Sequence, residues 1–163
     1  MAPAQRVSPL GNIPHMGILK AERTVEVNAT KERCYEIISD LENTPKWQEA
    51  MVSAEVLETD SEGRPSLVEI KSDAKVREVT SHLAFEYQPE DGMTWEQKKG
   101  DLKWLKGKWL LTDLGDGTTS ATYSLEADTG RMLGLLIKGP VQDKVKDMLT
   151  KDATDGLKKY AEK

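Results

Sequence analysis

After Gly130 the hydrophobic pattern of this chain changes period, and that change restricts its fold more than any other feature. Upstream, apolar residues alternate. Val68, Ile70, Ser72, Ala74 and Val76 are interleaved with Glu69, Lys71, Asp73 and Lys75, the pattern of a strand with one buried and one wet face. Val79, Ser81, Leu83, Phe85 and Tyr87 repeat it. So do Val52, Ala54 and Val56, then Met93, Trp95 and Gln97, then Trp109 and Leu111, and last Ala121, Tyr123 and Leu125. Turn-forming clusters separate the runs: Ser61 to Pro65, Pro89 to Gly92, and Asp116-Gly117, a strong hairpin signal. Downstream, Val141, Val145, Met148, Leu149, Ala153, Leu157, Tyr160 and Ala161 recur at spacings of three and four. Gly139-Pro140 suits a helix start. The spacing predicts a helix of about 20 residues within 140–163, roughly 30 Å long.

The beginning of the chain is of a third kind. Residues 1–18 place Pro3, Pro9 and Pro14 among small polar residues without periodicity, and His15-Met16 resembles a cloning-site scar. This segment reads as a tail outside the fold, native or vector-derived. The domain then runs over 19–163. Residues 20–28 read as a strand, and Asn28 or Thr30 caps a helix carrying Cys34, Ile37, Ile38 and Leu41 on one face. Pro45 stops it, and Thr44-Pro45 opens a second short helix with Trp47 and Met51. The expected fold is α+β: a curved antiparallel sheet of six to seven strands gripping a long C-terminal helix, with two short helices after the first strand. Consecutive strands joined by short turns pair as a meander, and only the long helix can cover the apolar face.

Composition narrows the function classes. A formal net charge of −5 argues against specific DNA binding, which needs a positive face. The single cysteine, Cys34, excludes an intrachain disulfide. No apolar run approaches the length of a membrane span, and no signal-peptide core follows the first charge. A cytoplasmic protein is expected.

At this point the chain resembles a known family, the helix-grip superfamily of START domains, Bet v 1-like proteins and the polyketide cyclase/dehydrase group. The residues that carry the resemblance are Val25-Glu26-Val27-Asn28-Ala29-Thr30, Cys34-Tyr35-Glu36-Ile37-Ile38-Ser39-Asp40 and Pro45-Lys46-Trp47. Further on they are Gly107-Lys108-Trp109, Asp116-Gly117-Thr118 through Tyr123, and Gly156-Leu157-Lys158. The similarity is greatest to actinobacterial cyclase-like, lipid-binding members, and it implies a cavity between sheet and helix. The glycine-rich loop of the plant allergen branch is absent.

Catalytic signatures are missing: there is no HExxH, CxxC or GxSxG. His82 alternates away from Phe85 and Tyr87 and has no orienting partner in the sequence. Glu58, Asp60, Glu62, Gly63 and Glu69 imitate a calcium loop, but Pro65 intrudes and strands flank it. Gly115 and Gly117 suit a hairpin, not a dinucleotide site. No metal or cofactor is expected, and Cys34 packs in a core.

What remains is apolar. A cavity is expected to be lined by Ile70, Ser72, Ser81, Phe85, Tyr87, Trp95, Gln97, Trp109, Tyr123 and Met148, the polar members orienting one end of a ligand. The first functional expectation is binding of a small hydrophobic ligand: a lipid, isoprenoid or aromatic polyketide. The second is a cyclase/dehydrase-like enzyme, which needs an acid or base inside the cavity. The third is a ribosome- or membrane-surface protein. It would make weak contact with anionic membrane or RNA through Lys98, Lys99, Lys103, Lys106 and Lys108, interleaved with Trp104 and Trp109.

Overall fold

The computed structural model describes residues 18–163, so the proposed tail lies almost wholly outside the described residues. Ile18, its last member, belongs instead to β1 and pairs with Asp128.

The chain forms β1 (Ile18–Val27), α1 (Lys31–Ser39), a short 3-10 helix (Leu41–Lys46) and then six consecutive strands. These are β2 (Met51–Thr59), β3 (Pro65–Asp73), β4 (Glu78–Gln88), β5 (Gly92–Gly100), β6 (Trp104–Gly115) and β7 (Thr118–Asp128). Two helices, α2 (Gly130–Leu136) and α3 (Pro140–Ala161), complete it. One curved seven-stranded sheet runs in the order β1-β7-β6-β5-β4-β3-β2, and every neighbouring pair is antiparallel. This is the α+β arrangement expected from the change of period.

Local chemistry sets the element ends. Thr30 caps α1, its Oγ1 accepting from Arg33 N at 3.1 Å. Pro140 lies in the first turn of α3, where its missing N–H costs nothing. Two close approaches require glycine. A Cβ on Gly107 would lie 2.5 Å from the Trp95 indole, its cross-strand neighbour. A Cβ on Gly156 would lie 2.0 Å from the Trp47 carbonyl oxygen. The C-terminal half of α3 is therefore seated directly on the chain that follows the 3-10 helix.

The structure differs from the sequence expectations in four places. A register shift between Met51 and Ser53 breaks the alternation of β2, so Met51 turns inward and Val52 is 52% exposed. The alternation of β3 stops at Asp73; Val76 lies in the following turn, where Lys75 has φ 73°. The second short helix begins at Leu41 and includes Pro45, leaving Trp47 just after it and Met51 in β2. On α3 the buried stripe is Val145, Thr150, Ala153, Thr154, Leu157 and Ala161, while Val141 is exposed. Thr150 and Thr154 become compatible with burial by donating to the Lys146 and Thr150 carbonyls at 2.9 Å.

The buried apolar residues fall into two clusters. The larger joins α1, the sheet centre and the C-terminal half of α3, through Ile38, Trp47, Ile70, Trp109 and Leu157. The smaller joins Leu19, Val79, Leu133, Ile137 and Val145 at the other end.

Candidate functional site

Members of both clusters line a partly open cavity of about 120 Å³, bounded by the sheet, the 3-10 helix, α2 and the N-terminal half of α3. It is of the order of engineered apolar cavities that admit benzene, about 150 Å³. A chain of neighbouring aromatic rings forms one wall. Phe85 lies 5.8 Å from Trp95, Trp95 5.7 Å from Tyr123, Tyr123 4.9 Å from Trp109 and Trp109 6.3 Å from Trp47, centroid to centroid. All are tilted pairs, with interplanar angles from 36° to 59°. Ile38, Leu41, Ile70, Leu83, Leu133, Ile137 and Leu149 supply aliphatic surface.

Polar groups enter the wall at few points. Ser81 donates to Gln97 Oε1 at 2.9 Å, and the Gln97 amide donates to the Leu102 carbonyl at 2.8 Å. This pair is self-satisfied and ties β4 and β5 to the β5–β6 turn. At the opposite end the Gln48 side chain stands beside the Tyr123 phenol. Burial pushes the Tyr123 phenol up to about 12, against the weaker lowering effect of the Gln48 side chain. Behind it, Asp152 of α3 accepts from the backbone N–H groups of Glu49 and Ala50 at 2.9 and 2.8 Å. Burial raises the Asp152 carboxyl, and those two donors oppose the shift. Next to Gln48, whose N–H donates to the Thr44 carbonyl at 2.9 Å, lies Thr44. Thr44 is among the residues that line the cavity, it is 3% exposed, and its Oγ1 has no hydrogen-bond partner. It is the one buried side-chain polar atom so placed among the described residues. No Asp, Glu, His, Lys or Arg among the described residues lines the cavity.

Of the residues proposed from sequence, Ile70, Ser72, Ser81, Phe85, Trp95, Trp109 and Tyr123 come together in this wall. Tyr87, Gln97 and Met148 are not in it. Tyr87 lies at the end of its strand, donating to the Pro65 carbonyl at 2.6 Å with the Arg64 guanidinium 5.0 Å above its ring. Gln97 stands behind Ser81, and Met148 is half-buried on α3. Sequence reasoning did not single out Thr44, Gln48, Leu133 or Ile137. Thr44 sits in a single short 3-10 helix and Gln48 on the irregular chain after it, while Leu133 and Ile137 lie on and just after a helix too short for its period to register.

The other candidates resolve by position. His82 is on the outer face, 3.0 Å from Glu69 Oε2, away from the cavity. The 58–69 acids do not converge: Asp60 accepts from Glu62 N, Arg64 N and Arg64 Nε, closing a hairpin. No group of three or more metal-ligating side chains occurs among the described residues. Cys34 is fully buried and free, and burial raises its thiol. Lys98 and Lys99 end β5, Lys103 is in the turn, and Lys106 and Lys108 are on β6. On this face acids interrupt them, for Lys98 pairs with Glu96 at 3.2 Å and Lys106 stands opposite Glu96 and Glu126. No helix among the described residues is long and apolar enough to cross a membrane.

A curved antiparallel sheet closed by a C-terminal helix over an apolar cavity matches a known group in sequence. The family model described as "Polyketide cyclase / dehydrase and lipid transport" matches residues 19–162. The chain belongs to this family. Solved structures agree with the fold of the polyketide cyclase/dehydrase and lipid transport family. A START superfamily protein from Mycobacterium smegmatis superposes with a TM-score of 0.77 at 22% identity, covering 88% of this chain and 97% of that one. A protein from Thermus thermophilus gives 0.75 at 18% identity, covering 87% and 96%. An aromatase/cyclase from a Streptomyces species gives 0.69 at 16% identity, covering 89% and 94%. No curated protein matches the chain.

Proposed function

We propose that this protein binds a small hydrophobic ligand in the cavity between the sheet and the C-terminal helix. The observation that carries the reading is the cavity itself, walled by tilted aromatic rings and aliphatic side chains where a domain of this size would otherwise close its core. Apolar burial supplies affinity at about 25 cal/mol per Å². Ile70, Ser72, Ser81, Phe85, Trp95, Trp109 and Tyr123 contact the ligand. Gln97 orients Ser81. Lipids, isoprenoids and aromatic polyketides are the classes that family membership and the aromatic wall support. Cyclase or dehydrase chemistry needs an acid or base beside the reacting carbons. Among the described residues the wall offers one titrating side chain, the Tyr123 phenol, and burial holds its proton in place. Binding is therefore the reading we carry. We place it in the cytoplasm, where the lone buried thiol of Cys34 stays reduced.

The test is occupancy. Ser72 lines the cavity and is only half-buried, so Ser72→Trp fills the space from one side. Toluene binding is measured by ligand-observed NMR beside thermal melts. The expected result is binding by wild type, none by Ser72→Trp, and melts that nearly coincide. A Ser72→Trp protein melting far below a wild type that binds nothing would mean a filled core, where such overpacking costs about 1–3 kcal/mol.

A second reading concerns the surface beside the cavity. The helix α2 turns Leu133 and Ile137 towards the cavity but leaves Met132 81%, Leu135 50% and Leu136 56% exposed. Trp104, also exposed, pairs with Asp128 just before this helix. Lys103, Arg131 and Lys138 flank the patch. Apolar side chains flanked by cations fit an anionic lipid surface, which would extend the lysine set Lys98, Lys99, Lys103, Lys106 and Lys108. Co-sedimentation with phosphatidylglycerol vesicles should fall with salt and on Leu135→Ser/Leu136→Ser substitution. Equal sedimentation of variant and wild type would overturn it, and retention on RNA alone would reassign the contact.

A further inference from the structure

We infer that the Thr44 end of the cavity is built for an uncharged oxygen, so that the ligand is a neutral apolar molecule bearing a hydroxyl or carbonyl and not a carboxylate. The inference rests on the cavity-binding reading and specifies its chemistry. A buried hydroxyl without a partner is a standing cost, and Thr44 Oγ1 is the one such side-chain atom among the described residues. Thr44 is one of the few polar residues that line the cavity, and Gln48 lines it beside Thr44. A threonine hydroxyl both donates and accepts. A ligand hydroxyl or carbonyl placed there would satisfy it with a neutral hydrogen bond.

A carboxylate would meet the opposite conditions. No Lys, Arg or His among the described residues lines the wall to neutralise it. The Asp152 carboxylate, fixed by the Glu49 and Ala50 N–H groups, stands behind Tyr123 and repels a second negative charge. Desolvating an anion in such a place is far costlier than desolvating a hydroxyl.

Matched single-ring probes test this: toluene, p-cresol and p-toluate, titrated at neutral pH by calorimetry and ligand-observed NMR. On wild type, p-cresol should bind about tenfold more tightly than toluene, the yield of one net hydrogen bond. It should bind at least about a hundredfold more tightly than p-toluate, which must desolvate its charge. Thr44→Val should remove the p-cresol advantage, leave toluene unchanged, and hold or raise the melting temperature of the free protein. A hydroxyl with a purely structural role would instead lower it. Binding of p-toluate as tight as that of p-cresol, or a p-cresol preference surviving Thr44→Val, would overturn the inference while leaving the cavity reading intact. Binding of none of the probes would overturn both.

Discussion

Replacing Gly156 with alanine sets two effects of opposite sign against each other. Gly156 lies inside α3, and alanine in a helix interior gains about 0.8–1 kcal/mol over glycine. Its Cβ, however, would stand 2.0 Å from the Trp47 carbonyl oxygen, 3.1 Å from the carbonyl carbon and 3.3 Å from Cε3 of the ring. An ordinary carbon–oxygen contact is more than 1 Å longer, and the obstacle is backbone, which cannot rotate away. The helix must lift from the Trp47 segment. Overpacking of this kind costs about 1–3 kcal/mol, sometimes more. The lift also stretches the bonds from Asp152, one turn earlier on the same helix, to the Glu49 and Ala50 N–H groups. Each charge-assisted bond of that kind is worth about 1.5–3 kcal/mol when intact. The net expectation is destabilisation by about 1–3 kcal/mol, read as a lower urea midpoint with an unchanged slope. A Gly156→Ala protein as stable as wild type, or more so, would show that α3 is not seated on Trp47 and would remove the close approach that shapes this end of the cavity.

Leu157 is fully buried and Val141 exposed on the same helix, so Leu157→Ala should cost about 2–5 kcal/mol and Val141→Ala under about 0.5 kcal/mol by denaturant titration. Comparable costs would contradict the orientation of α3. The Tyr123 phenol, raised from 10.0 to about 12, binds its proton more tightly in the folded state than in the unfolded one. The stability it contributes is complete below pH 10 and declines as pH rises towards 12, and Tyr123→Phe should flatten that decline. An identical alkaline profile in the variant would assign the effect elsewhere.

The sheet and the long helix were legible because their periods are long and clean: β4 buries Val79, Ser81, Leu83 and Phe85 in strict alternation, as the sequence requires. Half of the cavity was legible for the same reason, since the inward faces of β3 to β7 form its floor. The roof was not. Thr44 and Gln48 lie around a 3-10 helix whose proline looked like a start and proved to be internal. Hydrophobicity marks α2 on both faces, so no moment distinguishes Leu133 and Ile137, which point in, from Leu135 and Leu136, which point out. Met148 fits the apolar spacing of α3, yet Thr150 and Thr154 are the residues buried, because their hydroxyls bond back to the helix. Composition alone does not report that.

The strand order has a consequence for how the chain is made. β1 is hydrogen-bonded to one strand only, β7, whose residues follow it by roughly a hundred positions. On a ribosome the first strand therefore emerges without a partner and waits through the synthesis of the whole meander, and α3, which also rests on β1, arrives later still. Closing so long a loop carries a large entropic penalty before any contact is returned. Pairing of β1 therefore cannot begin before β7 has been made. Until it occurs, the newborn protein presents β7 as an open edge at which a second nascent chain can dock its own first strand, an exchange that concentration promotes and dilution suppresses.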